Sequence, residues 1–280
     1  MPSTADKRRA FRKLHEAGCF VIPNPWDIGS ARYLQHLGFK ALATTSAGFA
    51  FTQGLADGAV SRTMMLAHIA ELAAATDLPV NADFEGGYAH DPAGVAESVR
   101  LCVETGVAGL SIEDSTGDQD KPLYELAQSA ARMRAARAAI DKAGGEVVLT
   151  GRTECFLVGR PDLDEAIKRL RAYSEAGADC LYAPGIRTRE QIEAVVKAVA
   201  PKPVNLLMSS ASGLTLKDIA AMGVRRISVG GTLARVAWTA FIRSAREISE
   251  HGKFDGFAGT TPNAELNAFF RDDQAKRPKS

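Results

Sequence analysis

The chain has 280 residues, 46% of them apolar, enough for one large core and closer in size to a single barrel than to two ordinary domains. Lys and Arg number 34 against 33 Asp and Glu, so no excess basic field exists to hold a nucleic acid or an acidic membrane surface. Met1 to Ala10 is polar and charged, no stretch is long and apolar enough to span a bilayer, and Cys19, Cys102, Cys155 and Cys180 are scattered without CxxC spacing; the expectation is a cytoplasmic protein that works on small molecules.

Short β-branched or apolar runs alternate with longer amphipathic stretches, the pattern of repeated βα units around a parallel sheet. In chain order the predicted strands are Phe20 to Pro23, Ala41 to Ser46, Pro79 to Phe84, Gly109 to Asp114, Val147 to Thr153, Cys180 to Pro184, Val204 to Met208 and Arg226 to Gly230. Between them, Asp91 to Thr105 and Asp162 to Ala176 show helical spacing and stop at Gly106 and Gly177, while Gly38 and Gly223 likewise precede strands. Eight strands and their helices within roughly 250 residues predict an α/β fold, a closed (β/α)8 TIM barrel, over residues 1–251. A C-terminal extension, residues 252–280, carries a short helical run from Thr261 to Phe270 with Leu266, Phe269 and Phe270. That apolar run either caps its own barrel or reaches a neighbouring subunit, and the charged tail from Arg271 to Ser280 is expected to be disordered.

In such a barrel the reactive groups come from the C-terminal strand ends and the loops that follow. Those ends offer Thr45, Ser46, Ala47 and Gly48, then Asn81 and Asp83, then Glu113 and Asp114, then Arg152 and Glu154, then Asn205. Asp83 and Glu113, with Asp57 in the loop after the second strand, form a cluster of like charge that would repel itself unless a cation, most naturally Mg2+, sat among them. Alternatively these carboxylates pair with Lys or Arg at the rim. Arg152 is the candidate for gripping a substrate carboxylate two bonds at a time, or else forms a structural ion pair with Glu154 or Glu113. The small residues Thr45 to Gly48 either present backbone N–H groups to an oxyanion or make a tight turn.

The string "NPWDIGSARYLQHLGFKALATTSAGFA", followed by "NADFEGGY", "SIEDS" and "GRTE", resembles the ordered motif set of the isocitrate lyase/phosphoenolpyruvate mutase family, from about Phe20 to Ala240. The resemblance implies a magnesium- or manganese-dependent barrel that makes or breaks C–C or P–C bonds beside a carboxylate, through an enolate of pyruvate type. Carried over by motif, Thr45, Ser46 and Ala47 fall where the family binds the 2-oxo acid, Asp57, Asp83 and Glu113 where it surrounds the metal, and Arg152 where it grips the carboxylate. Family members tend to be homotetramers or larger assemblies that exchange the last helix.

Three departures limit the transfer. The family's DxD reads Asn81-Ala82-Asp83, so an amide stands where the first carboxylate is usual and Asp83 takes over the direct contact or the metal binds more weakly. From Ser115 to Lys121 the loop after the fourth strand is short and holds neither the lyases' cysteine nor the phosphonate enzymes' Lys-Thr-Asn run. Pro184 stands where relatives have a His or Glu, and a proline cannot move a proton. Asn205 is expected either to hydrogen-bond the substrate or to cap a loop, and Glu85, Tyr88 and Lys121 are expected in solvated loops. No histidine lies at a strand end ready for triad chemistry, and Gly230 and Gly231 either make a tight turn or accept a substrate carboxylate or phosphate.

Decarboxylation of an oxaloacetate-like 2-oxo acid asks least of a proton-transfer residue and ranks first among the expected activities. Cleavage of phosphonopyruvate or of a larger 2-hydroxy acid ranks second, and a non-catalytic 2-oxo acid binder is the reading from outside enzymology. Catalytic roles therefore go to Arg152 and Asp83.

Overall fold

The computed structural model describes residues 2–277 and divides them into two compact units, one ending at Gly231 and the other beginning at Thr232. The first unit runs α1 (Thr4–Leu14), β1 (Phe20–Ile22), α2 (Ile28–His36), β2 (Leu42–Ala43), α3 (Ser46–Thr52), α4 (Arg62–Ala75), β3 (Val80–Asp83), α5 (Pro92–Glu104) and β4 (Gly109–Glu113). It continues with α6 (Leu126–Lys142), β5 (Val148–Arg152), α7 (Leu163–Glu175), β6 (Cys180–Tyr182), α8 (Arg189–Val199), β7 (Val204–Leu207), α9 (Leu216–Ala221) and β8 (Arg226–Ser228). Every strand stands where the apolar runs place it.

All the strand pairs are parallel, in the order β1-β8-β7-β6-β5-β4-β3-β2. The remaining seam is bridged at the rim, where the Ala43 N–H donates to Pro23 O at 3.0 Å. The result is the predicted (β/α)8 barrel, a TIM barrel. Helices begin where short polar side chains cap them: Asp91 accepts from the Gly94 N–H and Asp162 from the Glu165 N–H. They end where a glycine can take the left-handed backbone that follows, with φ of +88° at Gly106 and +100° at Gly177.

Between strands and helices lies an apolar core including Val99, Leu110, Ile112, Met133, Leu149, Leu170 and Leu206. The inward-facing side of the strands is more polar than a barrel filled by branched aliphatics, with Asn81, Ser111, Thr150, Asn205 and Arg226 all buried. Phe11 of α1, fully buried, packs edge-on against Phe20 with ring centroids 6.4 Å apart. Gly109 makes room for it: a Cβ there would lie 2.6 Å from Phe11 Cε1 and 2.7 Å from Asn81 Oδ1. Gly109→Ala is therefore expected to destabilise the fold by about 1–3 kcal/mol through overpacking, measured by urea unfolding.

The second unit holds α10 (Thr232–His251), a 3-10 turn (Asp255–Phe257) and α11 (Asn263–Ala275). The helix expected to finish near His251 does so, but it groups with the extension. One expectation is corrected: Arg271 to Ala275 are not disordered but form the last turns of α11. Their mixed charges suit a helix surface, and the Arg277 guanidinium pairs with Asp273 one turn back at 2.9 Å. The end of the predicted tail, residues 278–280, lies outside the described residues. Among the described residues no helix is long and apolar enough to cross a membrane.

Candidate active site

The strand-end rule leads to a cavity of about 150 Å³ in the barrel unit, lined from every side of its C-terminal mouth. Thr45, Ser46 and Ala47 form one wall, Asp57 and Asp83 the next, Arg152 and Tyr182 the third, and Asn205, Ser228, Gly230 and Gly231 the last. Of the predicted site residues only Glu113 is not part of the wall.

Thr45 caps α3, its Oγ1 accepting from the Gly48 N–H at 3.1 Å. The Ser46 N–H and Oγ both donate to Asp83 Oδ2, at 3.0 and 3.1 Å, and Oγ also lies 3.0 Å from Asp57 Oδ1. Asp57, on an exposed loop, is thus tied to the strand-end carboxylate through one serine. Thr45 to Gly48 open α3, and two of the backbone N–H groups expected to face an anion are taken within the protein, that of Ser46 by Asp83 and that of Gly48 by Thr45.

Arg152 gathers carboxylates. Its Nε lies 2.5 Å from Glu154 Oε1 and its Nη1 3.1 Å from Asp83 Oδ1 and 3.3 Å from Glu113 Oε2. Burial works against the guanidinium's charge, but Glu113, Glu154 and Asp83 outweigh it and hold its pKa well above the ordinary value. Burial in turn lifts both Glu113 and Glu154 above the usual carboxylate range against the pull of Arg152. Glu154 is fixed from behind by Asp114, which accepts from the Glu154 N–H at 2.8 Å, Thr153 Oγ1 at 2.8 Å, Arg169 at 3.1 Å and Tyr173 at 2.5 Å. The expected structural ion pairs with Glu154 and Glu113 are both present, in the same residue that faces the cavity.

The three carboxylates expected to surround a metal do not form one ligand set: Glu113 is turned to Arg152, and no group of three or more His, Cys, Asp or Glu among the described residues is arranged around a common centre. What the wall does offer is hard oxygen. Asp57 and Asp83 face the cavity beside Asn81, whose Oδ1 is buried without a hydrogen-bond partner. Two carboxylates suit a hard divalent cation that keeps several of its waters, whereas the Asn81 Oδ1 is turned towards Gly109 and Phe11 and is no part of that set.

Glu85 and Tyr88 are not the solvated loop residues expected. Both are half-buried, both take left-handed backbone, with φ of +47° and +55°, and Tyr88 OH donates to Glu85 Oε1 at 2.9 Å. The Gly86 and Ala89 carbonyls of this turn are held by the buried Arg132 guanidinium. Such strain at non-glycine residues concentrates at functional sites. Burial lifts the Glu85 carboxyl to about 7, with Asp83 and Asp57 adding to the lift and Tyr88 opposing it. A raised acid contributes stability below its ordinary value of 4.5 and loses it as pH climbs through about 7. Glu85→Gln keeps an acceptor for Tyr88 and is expected to raise the urea midpoint at about pH 8 while leaving it unchanged at about pH 4.5; equal midpoint shifts at both would contradict this.

The loop after β4 is bonded to itself: the Thr116 N–H donates to Pro122 O at 3.0 Å, its Oγ1 to Lys121 O at 2.5 Å, and residues 117–121, Lys121 included, are exposed. None of its residues lines the cavity. Asn24 was missed in the sequence, although it also stands at a strand end. Its Oδ1 accepts from the Val229 and Gly230 N–H groups at 3.0 and 2.9 Å and its Nδ2 donates to Thr44 O at 2.8 Å, joining the ends of β8, β1 and β2. A Cβ on Gly231 would lie 3.5 Å from both Ala47 Cβ and Thr45 Oγ1, so the turn after β8 closes against the first wall.

A family model described as phosphoenolpyruvate phosphomutase matches residues 11–249. The chain is similar to a solved Burkholderia cenocepacia J2315 protein provisionally classed as a lyase/mutase, with TM-score 0.93, 49% identity and coverage of 96% of this chain and 97% of that one. It is similar to oxaloacetate acetylhydrolase, solved with the product oxalate, with TM-score 0.83, 29% identity and coverage of 98% and 96%. It is 28% identical over 232 residues to the oxaloacetate decarboxylase of Paraburkholderia xenovorans (strain LB400), spanning 80% of this chain and 75% of that protein.

Proposed function

The chain belongs to the isocitrate lyase/phosphoenolpyruvate mutase family, and from that membership we propose that it is a divalent-metal-dependent decarboxylase of a small 2-oxo dicarboxylate of the oxaloacetate type. The observation that carries the choice is the composition of the cavity wall: it contains no His, Cys or Lys, and its tyrosine, Tyr182, is pushed up to about 12 by burial. Outside the two carboxylates assigned to the cation, no group there is poised as a base at neutral pH. Decarboxylation starts without one. The C3–C4 bond breaks, carbon dioxide leaves, the electron pair moves into the C2 carbonyl to give the enolate of pyruvate, and a proton from solvent at C3 completes the product.

Asp57 and Asp83 would hold a cation, Mg2+ or Mn2+, which when bound would polarise the 2-oxo carbonyl and supply charge against the enolate oxygen. Ser46, fixed by Asp57 and Asp83, orients the first wall, and Ala47 brings backbone to the substrate side. Arg152 keeps the substrate carboxylate oriented while its three carboxylates hold the guanidinium plane. Asn205 donates to Ser228 Oγ at 2.9 Å and accepts from Arg226 at 2.8 Å, so its contribution is to brace the opposite wall. Cleavage of a larger 2-hydroxy acid would need a base to take the hydroxyl proton, and the wall offers only the two carboxylates assigned to the cation.

The deciding experiment follows pyruvate release from oxaloacetate, phosphonopyruvate, 2-methylisocitrate and dimethylmalate, with and without Mg2+. Metal-dependent pyruvate from oxaloacetate is the expected result. Binding of 2-oxo acids without turnover of any of them would replace the enzyme by a sensor.

The C-terminal unit exposes Val236, Trp238, Phe241, Ile242, Phe254, Phe257, Leu266 and Phe270, more apolar surface than a monomer of this size ordinarily shows on one small unit. A second copy of the chain is the proposed cover. Phe241→Glu is expected to lower the mass measured by size-exclusion chromatography with light scattering, and a monomeric wild type would remove the proposal.

A further inference from the structure

Arg226, the first residue of β8, is 3% exposed and lines the same cavity. Its side chain enters the barrel below the rim residue Ser228. Nε donates to Asn205 Oδ1 at 2.8 Å, Nη2 to Thr150 Oγ1 at 3.0 Å, and Nη1 lies 3.3 Å from His15 Nε2. All three partners are neutral. His15 is pushed down to about 3 by burial and by Arg226, and its Nδ1 lies 2.8 Å from Phe11 O, so the Nδ1–H tautomer donates there and leaves Nε2 to accept.

No carboxylate among the described residues pairs with Arg226. Arg152 has three carboxylates, Arg169 has Asp114 and Glu165, and Arg137 has Asp179 and Asp141, while Arg132, buried without a carboxylate, is held by the Gly86 and Ala89 carbonyls and does not line the cavity. A guanidinium carries five N–H donors, and only three contacts are made, so donors remain on both terminal nitrogens. A buried cation held only by neutral groups is unfavourable in an empty barrel and becomes favourable when an anion joins it.

We infer that Arg226 is a specificity-determining residue that receives a second acid group of the substrate, the one not engaged at the metal side of the cavity. The inference rests on the 2-oxo acid reading and deepens it. The cavity is acidic where Asp57 and Asp83 line it and cationic at Arg226, so a ligand with a chelating 2-oxo carboxylate at one end and a further carboxylate at the other matches both ends. Arg152, already neutralised by Asp83, Glu113 and Glu154, offers an incoming anion less net attraction than Arg226 does.

The test compares two ligands of equal carbon number by calorimetry with Mg2+ present: 2-oxovalerate, a monoanion, and 2-oxoglutarate, a dianion whose second carboxylate is not β to the carbonyl and so cannot leave by the proposed reaction. The wild type is expected to bind the dianion at least about tenfold more tightly, the worth of a charge-assisted hydrogen bond. Arg226→Gln is expected to bring the two affinities within about threefold by weakening the dianion alone. A merely bracing Arg226 would lower both affinities together, and that result, or a wild type without preference, overturns the inference. Should Arg226→Gln not fold, Arg226→Met carries the test: a preference unchanged from wild type overturns the inference, and a preference reduced at least about threefold supports it. If neither ligand binds to the wild type, it is the 2-oxo acid reading that fails; if 2-oxovalerate binds and the dianion gains nothing, only the inference does.

Discussion

Asp83→Ala is expected to abolish the Mg2+-dependent heat of 2-oxo acid binding and to lower kcat/KM by roughly 10²-fold or more, the scale on which lost metal-site support and lost oxyanion donors act. Asp83 receives the Ser46 N–H and hydroxyl on one oxygen and the Arg152 guanidinium on the other, so its removal disconnects the first wall from the third. The same change should hardly touch stability. Arg152 keeps Glu113 and Glu154, one cation then facing two carboxylates instead of three, and no buried charge is left without a partner. A urea midpoint within about 1 kcal/mol of wild type, beside lost metal-dependent binding, would assign Asp83 to the site and not to the scaffold. Metal-dependent binding that survives in a folded Asp83→Ala protein would mean the cation sits elsewhere.

How much of this was legible in the sequence depends on what each residue's neighbours reveal. The eight strands could be read because strands of a parallel sheet covered by helices are short apolar runs bounded by turn residues. Thr45, Ser46, Asp83, Arg152 and Asn205 could be read because they fall at strand ends. Arg226 could not be found by that rule, since it opens its strand and stands beside Arg225, which reaches outward to Gly18 O at 2.7 Å. The signal was in the parity. Arg226 and Ser228 alternate with Ile227, whose side chain belongs to the apolar core between sheet and helices, so the polar residues of β8 face the barrel interior. Glu85 and Tyr88 were placed in solvent because nothing in their identities announces left-handed backbone, which ordinarily favours glycine. Glu113 was grouped with Asp83 by its strand-end position, which does not say which carboxylates reach the cavity: Asp83 lines it and Glu113 does not.

Arg152→Met should be the most damaging single change to the fold at the site. It removes the cation shared by Asp83, Glu113 and Glu154 and leaves carboxylates whose exposure is only 20%, 16% and 8%. Breaking such a partly buried pair from one side costs roughly 3–5 kcal/mol. The penalty has a pH signature that separates it from lost packing against Tyr182, whose ring centroid lies 5.3 Å from the guanidinium carbon. Burial already lifts Glu113 and Glu154 above their ordinary 4.5, and without Arg152 nothing opposes the lift. In the variant the folded state therefore binds more protons than the unfolded state above about pH 4.5, so its stability falls as pH rises. Urea unfolding of Arg152→Met at about pH 5 and about pH 8 is expected to show the larger loss, relative to wild type, at the higher pH. A loss independent of pH would mean that Arg152 acts on the fold through its bulk, and the charge arrangement drawn around it would have to be abandoned.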